Sequence, residues 1–263
     1  MKQDNLFSVA DQVVLLSGAS RGIGEALAKG FAERDAQVII TGREAKTIEQ
    51  AARDISVGTK PARSIVCDVT DEKSLQATVD QVIAEFGRID TLVNVAGMNK
   101  RMKVENYTSA IYDEIIDTNL RGMFLLTQLV GKHMISRQRG NIISIDSLNT
   151  YAPLKGVTPY AMSKGGVSMM TRGMATEWGE HGVRVNAIAP GFFPTALTGK
   201  MWAIPKMLDW VTSVTPLKKL GDVEELVGAA IFLASDAAKY VTGQIIRVDG
   251  GISAGILWPL DLE

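Results

Sequence analysis

The stretch Val13-Val14-Leu15-Leu16-Ser17-Gly18-Ala19-Ser20-Arg21-Gly22-Ile23-Gly24 decides the fold. Its first five residues form an apolar run with no polar alternation, which reads as a strand buried on both faces of a parallel sheet. The run leads into glycines at 18, 22 and 24, and a helical pattern starts at Glu25. Glycines placed between a strand and a helix allow a tight turn, close packing of helix on strand, and approach of backbone N–H groups to a pyrophosphate at the helix N-terminus. The turn therefore predicts a dinucleotide site built on Gly18, Ser20, Arg21, Gly22, Ile23 and Gly24. Its spacing, G-x3-G-x-G, differs from the commoner G-x-G-x-x-G.

Working outward, short β-branched runs alternate with stretches of helical period. Strands are predicted over 13–17, 37–41, 64–68, 91–95, 141–146, 183–189 and 244–248, and helices over 25–34, 44–55, 72–86, 110–134, 159–178 and 223–235. That alternation predicts an α/β fold: a single doubly wound, Rossmann-type domain over 1–263, with a seven-stranded parallel sheet flanked by helices and ligands at the carboxyl ends of its strands. Only 190–216, with four prolines and two tryptophans, fits neither period. Its place after the sixth strand predicts a substrate lid.

Composition narrows the class. The 263 residues carry 28 basic against 29 acidic side chains, so no charge excess points to nucleic acid or an anionic membrane. One cysteine, Cys67, and two histidines make no metal cluster, and none is expected. Residues 1–12 lack the apolar core of a signal peptide, and the uncharged run 185–199 is short and broken by Pro190 and Pro194. A cytoplasmic protein is expected.

Further motifs follow in order: Asp68-Val69 after the third strand, Asn94-Val95-Ala96-Gly97 after the fourth, Tyr160-x-x-x-Lys164, Pro190-Gly191 after the sixth, and Val248-Asp249-Gly250-Gly251. With the Ser17–Gly24 turn these resemble the short-chain dehydrogenase/reductases over nearly the whole chain. Val95 departs from the pattern, which usually has a second asparagine. The resemblance implies a dinucleotide bound also by Asp68, Val69, Asn94, Ala96, Gly97, Tyr160, Lys164, Pro190, Gly191 and Thr195, with Asp68 at the adenine and Lys164 at the nicotinamide ribose. An acidic residue about 20 positions past the Gly-rich turn suits a ribose hydroxyl, and a basic one a 2′-phosphate. Arg43 lies 19 residues past Gly24. With Arg21 it favours NADP(H), NAD(H) being the alternative.

Tyr160 and Lys164 are four apart on a predicted helix, so an ammonium is expected near the phenol, lowering its pKa and fitting it to exchange a proton with an alcohol or carbonyl. Ser147 precedes Tyr160 by 13 residues, a spacing the family shows, and is expected to hold the substrate oxygen. The resemblance assigns Asn119 to a water in the proton relay. Asn119, Ser147, Tyr160 and Lys164 are thus the predicted catalytic set. A second Y-x-x-x-K, Tyr151 to Lys155, is interrupted by Pro153, which breaks any helix joining the pair.

Lys100-Arg101 brings two cations to the loop after the fourth strand, and arginine's fork matches a carboxylate. The stretches 98–101 and 147–148, and the chain from Glu224 on, resemble gluconate 5-dehydrogenases and related sugar-acid or polyol dehydrogenases. The expected activity is hydride transfer between a nicotinamide and a secondary alcohol or ketone of a sugar acid, with Arg101, Ser147 and Tyr160 binding the substrate. A 3-oxoacyl-carrier reductase or other carbonyl reductase, and a dinucleotide-sensing regulator, are the alternatives. A homotetramer is implied chiefly by the resemblance, and exposed apolar residues near Ile256-Leu257-Trp258 add to it.

Overall fold

A computed structural model describes residues 5–57, 60–195 and 198–257. Its centre is a seven-stranded sheet in the order β3-β2-β1-β4-β5-β6-β7. The strands are β1 Val13–Ser17, β2 Gln37–Gly42, β3 Arg63–Val66, β4 Thr91–Asn94, β5 Gly140–Ile145, β6 Val183–Pro190 and β7 Ile245–Val248. All neighbours pair in parallel. β1 is buried throughout because alternate side chains serve two cores. Val14 and Leu16 pack with Leu27, Phe31, Ile48 and Ile231 on one face. Val13 and Leu15 pack with Leu75, Leu126, Val130 and Met174 on the other.

Helices α1 Gly22–Ala32, α2 Ala45–Ile55 and α9 Val227–Ala234 supply the first core, and α3 Glu72–Phe86, α5 Gly122–Ser136 and α6 Thr158–Trp178 supply the second. The strand order reverses between β1 and β4, which opens a crevice at their carboxyl ends. No helix among the described residues is long and apolar enough to cross a membrane.

Three predicted stretches differ in the structure. The helix expected over 110–134 is α4 Ser109–Ile116, a π turn at Asp117–Arg121, and α5. Gly122 N–H donates to the Asp117 carbonyl, five residues back. A Cβ on Gly122 would lie 2.2 Å from the Val69 carbonyl oxygen, so the bend brings α5 against the loop after β3. The segment 190–216 is not irregular, since it holds α7 Gly199–Trp202 and α8 Pro205–Val214, the latter with proline in its first turn. The stretch 223–235 opens as a 3₁₀ turn, Val223–Leu226, held by a reciprocal Asp222–Glu225 capping box.

Candidate active site

The Gly-rich turn lies in the crevice between β1 and β4. Gly18 has φ +71°, and a Cβ there would sit 2.6 Å from Ala96 Cα; one on Gly24 would sit 2.5 Å from the Gly18 carbonyl oxygen. Only glycine permits these approaches. Helix α1 starts at Gly22 with no side-chain cap. Its first N–H groups therefore remain available to an anion. Arg21 and Arg43 are exposed. The Arg43 charge helps hold the Asp68 carboxyl below the usual range, after the larger effect of the Thr70 backbone N–H. Thr195 sits over the turn, 3.5 Å from where a Gly22 Cβ would be. A notch without side chains, an uncapped helix start and flanking cations fit a phosphorylated dinucleotide.

Asn94 stands differently from its expected cofactor role. It is fully buried, and its amide donates to Thr127 Oγ1 (2.8 Å) and Ser144 Oγ (3.3 Å), tying β4 to α5 and β5. Its Oδ1 has no hydrogen-bond partner among the described residues. Val95, where the motif departs from the family pattern, donates its N–H to the Ser17 carbonyl at 3.1 Å, so the loop keeps this backbone tie.

Beside the notch is a cavity of about 670 Å³ that brings together Ile23, Arg101, Ser147, Tyr160, Pro190, Gly191 and Thr195 from the predicted residues. Ser147 Oγ accepts from both the Asn149 backbone N–H and its side-chain amide, each at 3.1 Å. With its lone pairs so engaged, the hydroxyl proton is free to donate into the cavity. Sequence reasoning missed Asn149. The Ser-x-Asn spacing, typical of a serine turn, is the signal that could have found it.

Lys164 is buried, and its Nζ donates to the Ile145 carbonyl at 2.6 Å and lies 5.7 Å from the centre of the Tyr160 ring. The ammonium thus stands near the ring, as expected, but the phenol pKa is raised rather than lowered, with burial the largest cause. Burial pushes Tyr160 up; the Ser147 hydroxyl opposes this, the Asp146 carboxyl adds to it, and the Arg101 charge opposes it. Tyr160 holds its proton at neutral pH and can donate it to an oxygen in the cavity.

Asn119 lies in the π turn and is buried. Its Oδ1 accepts from Met98 N–H (2.7 Å), and its Nδ2 donates to the Met98 carbonyl (2.9 Å) and Ser163 Oγ (3.1 Å). Both amide protons are used, so the side chain clamps the loop after β4 to α6. A π turn, however, releases a backbone carbonyl from the regular helical ladder.

Asp146 was not foreseen. It is buried at the end of β5, Oδ1 accepts from Thr150 Oγ1 at 2.7 Å, and Oδ2 faces no protein partner. Burial pushes its pKa up to about 6, although Thr150 and the Lys164 charge oppose the shift. Burial also pulls Lys164 down to about 8, with the Asp146 charge opposing. Because the folded value of Asp146 exceeds the unfolded 3.8, its contribution to stability is full below pH 3.8 and lost as pH rises through about 6. The gap corresponds to roughly 3 kcal/mol. Denaturant unfolding between pH 4 and 7 should therefore show a falling component that Asp146→Asn removes; parallel curves for the two proteins would show that the carboxyl does not titrate there.

Arg101 is exposed at the cavity rim, whereas Lys100 is paired with Glu114. Of the two predicted cations, Arg101 is therefore the one that lines the cavity. The second Y-x-x-x-K is not on a helix: α6 starts at Thr158, and the exposed Tyr151 carries the Arg247 guanidinium 5.2 Å from its ring centre.

A Gly-rich notch at the switch point, with a tyrosine and a buried lysine one helical turn apart beside it, defines a nicotinamide-dependent oxidoreductase. The chain belongs to the short-chain dehydrogenase/reductase family: a profile of that family, described as enoyl-(acyl carrier protein) reductase, matches residues 18–253. It is 40% identical over 256 residues to the gluconate 5-dehydrogenase of Gluconobacter oxydans (strain 621H), covering 97% of this chain and 100% of that one. It is 36% identical over 253 residues to the 5-keto-D-gluconate 5-reductase of Escherichia coli (strain K12), covering 96% and 100%. Among solved structures, a gluconate 5-dehydrogenase from Burkholderia cenocepacia in complex with NADP and tartrate superposes with a TM-score of 0.92 at 36% identity, over 96% of this chain and 99% of that one.

Proposed function

We propose that this chain interconverts a secondary hydroxyl and a ketone on a sugar acid of the gluconate/5-ketogluconate type, using NADP(H). The observation that carries this reading is the convergence of the Tyr160 phenol and Ser147 hydroxyl in one cavity, with Arg101 close enough for its charge to act on the phenol. Bound in the notch, the nicotinamide supplies or accepts the hydride. Ser147 donates to the substrate oxygen, and Tyr160 gives that oxygen a proton in reduction and removes one in oxidation. Lys164, anchored on Ile145, holds the helix face beneath the ring and offers its remaining protons to the ribose. Asn119 fixes the loop that carries Arg101, and Arg101 holds the substrate carboxylate. Arg43 and Arg21 take the 2′-phosphate, and Asp68, Val69, Ala96, Gly97, Gly191 and Thr195 line the rest of the cofactor.

The chain acts in this reading as one catalytic domain with 190–216 as its lid, in the cytoplasm and as a homotetramer. Exposed Phe124, Met162 and Met169 on α5 and α6, and exposed Ile256 and Leu257, support packing against other copies. Trp258, included in the expected patch, lies outside the described residues.

A panel of gluconate, other aldonates, neutral polyols and a 3-oxoacyl thioester with both cofactors tests the substrate. Arg101→Ala should raise KM for gluconate roughly 10- to 150-fold, the worth of a hydrogen bond to a charged group, and leave a neutral polyol unaffected. An unchanged KM for gluconate would remove Arg101 from the carboxylate, and turnover of the thioester alone would move the assignment to acyl chemistry.

A further inference from the structure

The lid side of the cavity has a different chemistry from its floor. It is walled by Phe192, Met201, Trp202, Ile204, Met207 and Trp210. Phe192 stands between the two indoles, edge to face with Trp202 (5.5 Å, 70°) and Trp210 (5.4 Å, 65°), so the rings form one continuous surface. Trp202 is 9% exposed, and its Nε1–H has no partner. The floor opposite adds Leu148 and Leu154.

A sugar acid carries a hydroxyl on nearly every carbon, and each loses its water when buried. An unpaired hydroxyl against such a wall weakens binding roughly 5- to 150-fold. The rings of this wall offer only two donors, the Trp202 and Trp210 indole N–H groups, with Thr198 and Lys206 as the polar lining beside them. The ring surface therefore matches a carbon arm with few polar groups.

We propose that the cavity also takes ketones and secondary alcohols with a medium-length alkyl arm, the carbonyl at Ser147 and Tyr160 and the arm against Phe192, Trp202 and Trp210. This rests on the oxidoreductase reading of the same site. In reduction the carbonyl π bond breaks, its carbon receives a hydride from the reduced nicotinamide, and its oxygen receives the Tyr160 proton. The secondary alcohol and the oxidised nicotinamide leave, and solvent restores the phenol proton.

The test compares 2-butanone, 2-hexanone and 2-octanone with 5-ketogluconate, each with NADPH, and follows tryptophan emission on titrating 2-octanone without cofactor. A buried methylene is worth about fourfold, so kcat/KM should climb more than tenfold from 2-butanone to 2-octanone. Trp210→Ser should lower the ratio of 2-octanone to 5-ketogluconate turnover roughly tenfold. The emission should change on binding, and less so in Trp202→Phe, which keeps a ring but lacks the N–H. Turnover of 5-ketogluconate with a flat ketone series and no emission change overturns the proposal and leaves the sugar-acid reading standing. A rising ketone series without 5-ketogluconate turnover upholds the proposal and refutes the sugar-acid reading. If no substrate turns over and the emission does not change, both fail.

Discussion

Tyr160→Phe is expected to lower kcat by about 10²- to 10⁴-fold, the range over which a general acid–base group contributes, while NADPH still binds. The phenol keeps its proton at neutral pH, and a phenylalanine ring has none to give to the substrate oxygen. The cofactor notch is made by Gly18, Gly24 and Ala96, which the substitution does not touch. Tyr151→Phe is the matched control, expected to remain active because Tyr151 is exposed and precedes the α6 helix. Single-turnover hydride transfer together with a fluorescence titration of NADPH separates the two effects. Near-normal turnover in Tyr160→Phe would remove that residue from the chemistry.

Arg43→Asp should swing the NADP(H)/NAD(H) preference roughly 10- to 150-fold toward NAD(H), since a charged partner of the 2′-phosphate becomes a carboxylate suited to a ribose hydroxyl. Glu44, next in sequence, does not already cancel the arginine. Its carboxylate accepts from Thr47 Oγ1 at 2.8 Å and is turned toward its own helix. Kd values for both cofactors on both proteins decide the matter, and unmodified protein that prefers NAD(H) refutes the assignment outright. Salt should weaken NADP(H) binding more than NAD(H) binding, because the extra contact is between charges near solvent.

What could be read in advance was whatever local chemistry determines. The bounds of β1 follow from an unbroken apolar run. Those of α3 follow from Asp71, whose carboxylate accepts from Lys73 N–H, and from Gly87 at φ +73°. The π turn was hidden because the stretch 110–134 is apolar on more than one face, so a phase shift of one residue leaves no visible break in its pattern. Helices α7 and α8 were hidden because Pro190, Pro194, Pro205 and Pro216 leave segments too short to show a period. At the site, the residue types were legible but their partners were not. The acceptor for Lys164 is a carbonyl 19 residues away, and the Asn119 clamp spans 21 residues to Met98. Such bonds depend on which strand lies beside which, and Asp146 gives no sign in sequence of its burial.

The π turn at Asp117–Arg121 also sets helical regularity against function. Removing one residue there would give a single unbroken helix with a fuller set of i to i−4 bonds, a more stable segment judged alone. The same removal would turn everything on one side by about 100° relative to the other, swinging Asn119 away from Met98 and Ser163 or lifting Gly122 off Val69. In this segment the length of the chain is therefore as strict a requirement as the identity of its residues: substitutions that keep the count can be absorbed, whereas a one-residue deletion that improves the helix would dismantle the site.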